Sequence, residues 1–133
     1  IPHDILSKAR QLRDALLATT ATEVLLHGDL HHENLLKHGD DWLVIDPKGF
    51  IGDPVFEVCA FIHNPIPELL EQATPVKIVN NRIQACADLL GFPKQRIQEW
   101  LYVKSVLCWA WCLEDKMPMD HFKRFISLLD ERD

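Results

Sequence analysis

The sequence predicts a mainly helical α+β domain in which a few short strands carry a polar loop. Three observations lead there. Long segments at both ends of the chain repeat apolar residues every three or four positions. The stretch from 23 to 46 instead shows short apolar runs broken by turn residues. The densest group of polar and titratable side chains, His27-Gly28-Asp29-Leu30-His31-His32-Glu33-Asn34, lies inside that β-like stretch.

In chain order, Pro2 to about Thr19 reads as an amphipathic helix with Ile5, Leu6, Ala9, Leu12, Leu16 and Leu17 on its apolar side and Pro2 in the first turn. Glu23 to His27 is a short strand that delivers the chain to the polar loop. Leu35-Leu36-Lys37 and Trp42-Leu43-Val44-Ile45 are two more, and His38-Gly39-Asp40-Asp41 between them has the chemistry of a hairpin turn. The hairpin returns Asp46 to the side of Asn34. Pro47 to Gly52 reads as a loop, and Asp53-Pro54 as an N-cap and first-turn proline opening a helix through about His63. Asn64-Pro65-Ile66-Pro67 ends that helix and begins an irregular connection. A helix from Pro75 to Leu90 places Val76, Val79, Ile83, Cys86 and Leu90 on one face, with Gly91 as its stop. From Pro93 to Leu113 the pattern is helical and apolar on most sides, with Ile97, Trp100, Leu101, Leu107, Cys108 and Trp111 along one of them, which predicts a central helix. A last helix, about Pro118 to Glu131, buries Met119, Phe122, Ile126 and Leu129.

Composition excludes some classes. No apolar run approaches the roughly 20 residues needed to span a bilayer, and the first residues do not form a secretion signal, so a cytoplasmic protein without a membrane partner is expected. A net charge of -6 without a Lys/Arg block argues against nucleic acid as a partner and would suit a cationic ligand. Cys59, Cys86, Cys108 and Cys112 are scattered in apolar surroundings and read as small buried hydrophobes.

Phosphoryl transfer from ATP needs one carboxylate near the acceptor hydroxyl and oxygen ligands that hold magnesium on the phosphates. Protein kinases supply these from an Asp, an Asn five residues later and a second Asp further on. Asp29, Asn34 and Asp46 repeat that order and spacing. The octet resembles the Brenner-type catalytic loop of the aminoglycoside phosphotransferase family, whose members share the protein-kinase fold. Within it, the run from Trp42 through Asp46-Pro47-Lys48-Gly49 to Pro65 is similar to the streptomycin 6-phosphotransferase and hydroxyurea phosphotransferase branch; the specific match covers roughly residues 25 to 65.

The resemblance implies a kinase-like C-terminal lobe over residues 1–133, divided into a catalytic loop (27–34), a metal-binding Asp loop (46–53) and a helical part (54–133). It implies Asp29 as catalytic base, and Asn34 and Asp46 as the residues that hold Mg2+ and, through it, ATP. His27 takes the place of the kinase loop histidine and is given an architectural role, shared with Asp53 as a helix cap; Glu57 is read as a helix-face carboxylate that structures the lobe. Gly28 stands where kinases have arginine, so no activation by a phosphorylated loop is expected. His31 occupies a lysine position, near phosphate or merely braced, and Lys48 departs from the kinase pattern. His32 and Glu33 are expected to face solvent or brace the loop. For the acceptor, a small-molecule alcohol such as an aminoglycoside or hydroxyurea, Glu114, Asp115 and Asp120 near Trp109 and Trp111 are candidates, weighed against a solvated turn. The chain begins at Ile1 and holds neither a glycine-rich phosphate loop nor a nucleotide lysine, so the N-terminal nucleotide lobe is expected to be absent and the fragment alone inactive. Two other readings stand beside this one: a His/Asp metallohydrolase built on His27, Asp29, His31 and His32, and a non-catalytic binding module.

Overall fold

A helix whose middle is buried on every side forms the axis of the protein. The computed structural model describes residues 1–132. In α4 (Lys94–Glu114) the seven consecutive residues Trp100 to Val106 are all buried, which one helix achieves only when neighbours cover its whole circumference. Those neighbours are α1 (His3–Ala18), α2 (Cys59–His63), α3 (Pro75–Leu90), α5 (Asp120–Glu131) and a 3₁₀ turn at Pro54–Val58. Phe125, Leu16, Ile62, Ile83, Ile97 and Leu101 are the large side chains fully enclosed between them.

The helical limits follow local chemistry. Pro2 precedes α1 and accepts the Leu6 amide through its carbonyl. α3 starts at Pro75 and stops at Gly91, whose φ of 71° is the left-handed cap that glycine adopts freely. The expected faces need four corrections. Leu17 and Leu90 are exposed, each lying in the last turn of its helix. Leu107 and Trp111 of α4 are also open, on a side of the helix away from Trp109, which stays in the core.

Two small antiparallel sheets flank the polar loop. β2 (Leu35–His38) and β3 (Asp41–Val44) form the expected hairpin, with Leu35 opposite Val44 and His38 opposite Asp41. Gly39 takes φ 61° in the two-residue loop between them. β1 (Val24–Leu26) pairs instead with β4 (Phe50–Gly52), Leu26 opposite Phe50. Residues 50–52 were expected to be loop; a three-residue strand whose partner lies some two dozen positions upstream has no local periodicity to announce it. The helix expected from Pro54 begins as the 3₁₀ turn and becomes α-helical only at Cys59, and the connection after Pro67 contains a further 3₁₀ turn at Glu68–Glu71.

All four cysteines are free thiols. Burial pushes the Cys108 thiol up to about 11 and Cys59 higher still, as expected of apolar filling. Among the described residues no helix is long and apolar enough to cross a membrane.

Candidate active site

The polar loop leaves β1 at His27, and every polar group of that residue is engaged. Its amide donates to Glu57 Oε2 at 2.7 Å, and its carbonyl accepts the amides of Lys48 (2.7 Å) and Gly49 (3.2 Å). Nδ1 accepts the Asp29 amide at 3.1 Å, so the ring proton belongs on Nε2, which donates to the Ile45 carbonyl at 2.7 Å. One imidazole thus joins the backbone just before Asp46 to the backbone of Asp29. Glu57, from the 3₁₀ turn, also accepts the Gly28 amide through Oε1 at 2.9 Å. That carboxylate clamps two successive amides of the loop, a more direct role than a carboxylate on a helix face.

Gly28 cannot be another residue here. Its φ is 88°, and a Cβ would lie 2.4 Å from the Phe50 ring. Asp29 follows, its side chain about one-third exposed (35%), with His31 Nε2 at 3.6 Å from Oδ1. His31 Nδ1 meanwhile accepts the Glu33 amide at 3.3 Å and so opens the 3₁₀ turn His32–Asn34. His32 and Glu33 are exposed, the His32 ring lying 5.2 Å from that of Phe61.

Asn34 is buried, and its Nδ2 donates to the Asp29 carbonyl at 2.8 Å. This fixes the amide's orientation and leaves Oδ1 as its acceptor end. The Asn34 carbonyl accepts the Ile45 amide at 3.0 Å, continuing the β2–β3 ladder by one step. Asp46 therefore comes directly after the residue paired with Asn34. It is exposed and holds φ 55°, a strained conformation that aspartate tolerates better than most residues. An amide oxygen and a carboxylate are hard donors of the kind magnesium takes, so this donor set is chemically suited to that ion.

Asp53 is buried and saturated. Oδ1 accepts the Val55 amide at 3.0 Å; Oδ2 accepts Trp100 Nε1 at 2.8 Å and Arg96 Nε at 2.8 Å. Burial pushes this carboxyl up, but the Val55 amide, the Trp100 indole and the Arg96 guanidinium together outweigh it and hold it below the usual carboxylate value. Arg96 also reaches the Leu16 carbonyl and the hydroxyls of Thr19 and Thr20 at the end of α1. Sequence reasoning missed Arg96.

The metal-hydrolase reading fails on geometry. Both ring nitrogens of His27 are occupied by backbone, and among the described residues no three His, Cys, Asp or Glu side chains are grouped to hold a metal ion.

A pocket of about 380 Å³ opens beside Asp29, walled by His31, Lys48, His63, Lys104 and Trp111 among others. The acids expected to receive the acceptor are not among its lining. Glu114, Asp115 and Asp120 are all exposed; Asp115 borders a neighbouring hollow that shares Trp111, and Asp120 borders one against α5. Lys104 escaped sequence reasoning too, and His63 reads from the sequence only as a helix end and a histidine without a motif around it. The available signal was a lone lysine inside the apolar run 100–110, and a lone histidine at the end of an apolar turn.

With this geometry in place, the family model for "Aminoglycoside/hydroxyurea antibiotic resistance kinase" matches residues 3–116. The chain belongs to that family. Its relatives include a streptomycin 3''-kinase of Klebsiella pneumoniae, 35% identical over 118 residues, which cover 85% of this chain and 44% of that protein. A hydroxyurea phosphotransferase of Kitasatospora aureofaciens is 35% identical over 112 residues (80% and 31%), and a streptomycin 6-kinase of Streptomyces glaucescens 30% identical over 92 (68% and 30%). The chain thus spans less than half the length of these family members. No solved structure matches it significantly.

Proposed function

We propose that this chain is the catalytic part of an ATP-dependent phosphotransferase acting on a hydroxyl group of a small molecule, within a kinase-like C-terminal lobe. The observation that supports this best is the pairing of Asn34 with Ile45, which sets Asp46 beside Asn34 while the Asn34 amide is tied to the Asp29 carbonyl. Family membership supports the same reaction class. The names of the relatives bring streptomycin and hydroxyurea forward as acceptors, and antibiotic resistance as the setting.

In this reading Asp29 accepts or orients the acceptor's hydroxyl proton. Asn34 Oδ1 and the Asp46 carboxylate would hold magnesium, which when bound neutralises phosphate charge. His27 and Glu57 keep the loop backbone in one shape, and Asp53 anchors the segment after Asp46 to α4. The lobe divides into the catalytic loop 27–34, the Asp loop 46–53 and the helical part 54–133. Phosphate transfer from ATP, screened across hydroxyl acceptors with the full-length protein, tests the proposal. Asp29→Ala is expected to lower kcat by about 10²–10⁴-fold, the usual size of a lost general-base contribution, with the melting temperature unchanged. A rate insensitive to that substitution would sink it.

A further inference from the structure

The loop 27–34 is tied down by side chains that bond backbone, yet the carboxylate of Asp29 is left loose. Among the described residues no hydrogen bond reaches either of its oxygens, and the ring of His31, with Nε2 3.6 Å from Oδ1, is the side chain that faces it. An aspartate's χ2 is a broad torsion, so a carboxylate without a partner turns easily. A base that must meet an incoming hydroxyl in line gains rate from being held.

His31 itself is held from several sides. Its side chain is 17% exposed, and its backbone is extended (φ -133°, ψ 179°) at the entry to the 3₁₀ turn His32–Asn34. Its carbonyl accepts the Asn34 amide at 3.0 Å, and its Nδ1 accepts the Glu33 amide at 3.3 Å. A ring nitrogen that accepts an amide proton carries none of its own, so the proton of the imidazole sits on Nε2. Two groups lie near that proton. Asn34 Nδ2, at 3.5 Å, is a donor already committed to the Asp29 carbonyl and offers no lone pair. Asp29 Oδ1 is the acceptor. At 3.6 Å the contact is longer than a hydrogen bond, as catalytic pairs commonly are before substrate binds, and a modest turn of the Asp29 carboxylate closes it.

We propose that His31 is the positioning residue of the base: its Nε2–H binds Asp29 Oδ1 and so turns Oδ2 toward the acceptor hydroxyl. The hydroxyl rests on the phosphotransferase reading; the His31–Asp29 pair rests on geometry alone. As the acceptor oxygen bonds the γ-phosphorus of ATP, the bond from that phosphorus to the bridging oxygen breaks. ADP leaves with the electron pair, and the hydroxyl proton passes to Oδ2. His31 keeps its proton throughout. The same geometry removes the ring from phosphate binding, because its one N–H is spent on Asp29 and its Nδ1 on the Glu33 amide. The lysine position of protein kinases thus carries an orienting donor here.

Two conservative variants separate this role from that of a purely structural cap. Gln matches the reach of Nε2–H, but its amide lies too far out to replace Nδ1. Asn replaces Nδ1, since its short side-chain oxygen accepts an amide two residues on, but it puts no donor near Asp29. The full-length protein is assayed with ATP, and with streptomycin and hydroxyurea as acceptors. His31→Ala and His31→Asn should each lower kcat by about 10–100-fold, the scale of a misplaced catalytic group, with KM for ATP and acceptor within about threefold of wild type. His31→Gln should recover kcat to within about fivefold of wild type. Recovery by Asn and not by Gln, or a full rate in His31→Ala, overturns the proposal. Nitrogen NMR spectra of the imidazole give a readout that needs no turnover. The proton belongs on Nε2, and Asp29→Asn should move the Nε2 resonance while Nδ1 stays nearly in place. A proton on Nδ1, or an Nε2 resonance indifferent to Asp29→Asn, overturns it as well. Wild type that transfers no phosphate to any acceptor screened counts against the phosphotransferase reading, and the spectra then decide the His31–Asp29 pair by themselves.

Discussion

Two regions of this molecule are held together by different forces. Around α4 the structure rests on enclosed apolar side chains: Leu16 from α1, Ile62 from α2, Ile83 from α3 and Phe125 from α5 converge on one helix. Around residues 24–57 most strand residues are exposed, and order comes from side chains that bond backbone. Glu57 takes two amides, His27 links residues 29 and 45, and Asn34 takes a carbonyl. Burial is tolerant of small shifts, whereas hydrogen bonds are directional. The body therefore supplies stability, and the loop supplies positioned atoms. Arg96, which spans Asp53 and the end of α1, is the joint between them.

Substitutions on either side of that boundary should separate stability from rate. Phe125→Ala, deep in the body, should cost about 3–5 kcal/mol by denaturant unfolding, with little change in turnover for molecules that remain folded. Asp53→Asn, at the joint, should cost about 3 kcal/mol, because it leaves Arg96 and Trp100 facing a neutral amide. The acid response gives the sign of that contribution. The native carboxyl titrates lower than the unfolded one, so its stabilisation is complete above about pH 4 and is lost as pH falls further through the native value. The Asn variant should lack this loss.

Glu57→Ala removes the acceptor of two loop amides and should cost about 2 kcal/mol, with a loss of kcat larger than Phe125→Ala shows under conditions where both are folded. Equal losses of rate would erase the distinction between the regions. The smallest effect concerns His63. The unfolded imidazole takes a proton near pH 6.5 and the native one only near 3, so stability should decline as pH drops through that window. Between pH 6.5 and 5 the wild type should lose about 1.6 kcal/mol more than His63→Phe, measured by urea unfolding at each pH.

The same division explains what could be read from residues alone. Apolar periodicity is a local signal, so α1, α3 and α4 were placed within a residue or two, Gly91 included. The hairpin was legible because its turn is only two residues long. The β1–β4 ladder was not, since nothing in Phe50-Ile51-Gly52 points to Val24-Leu25-Leu26. For the site, Asp29, Asn34 and Asp46 stood out by spacing. The clamp by Glu57, the Arg96 joint and the Lys104 and His63 walls depend on contacts between distant segments. Spacing within one segment carries no information about them.

Leu25 and Ile51 face each other across the β1–β4 ladder and are 74% and 67% exposed. Among the described residues each sheet has only two strands, so every strand also keeps one side of its backbone unpaired. Greasy side chains next to open amides and carbonyls are a template for recruiting another strand. In concentrated solution this corner is therefore where self-association would start, and a lysine at position 25 or 51 is the change that would best keep the purified chain dispersed.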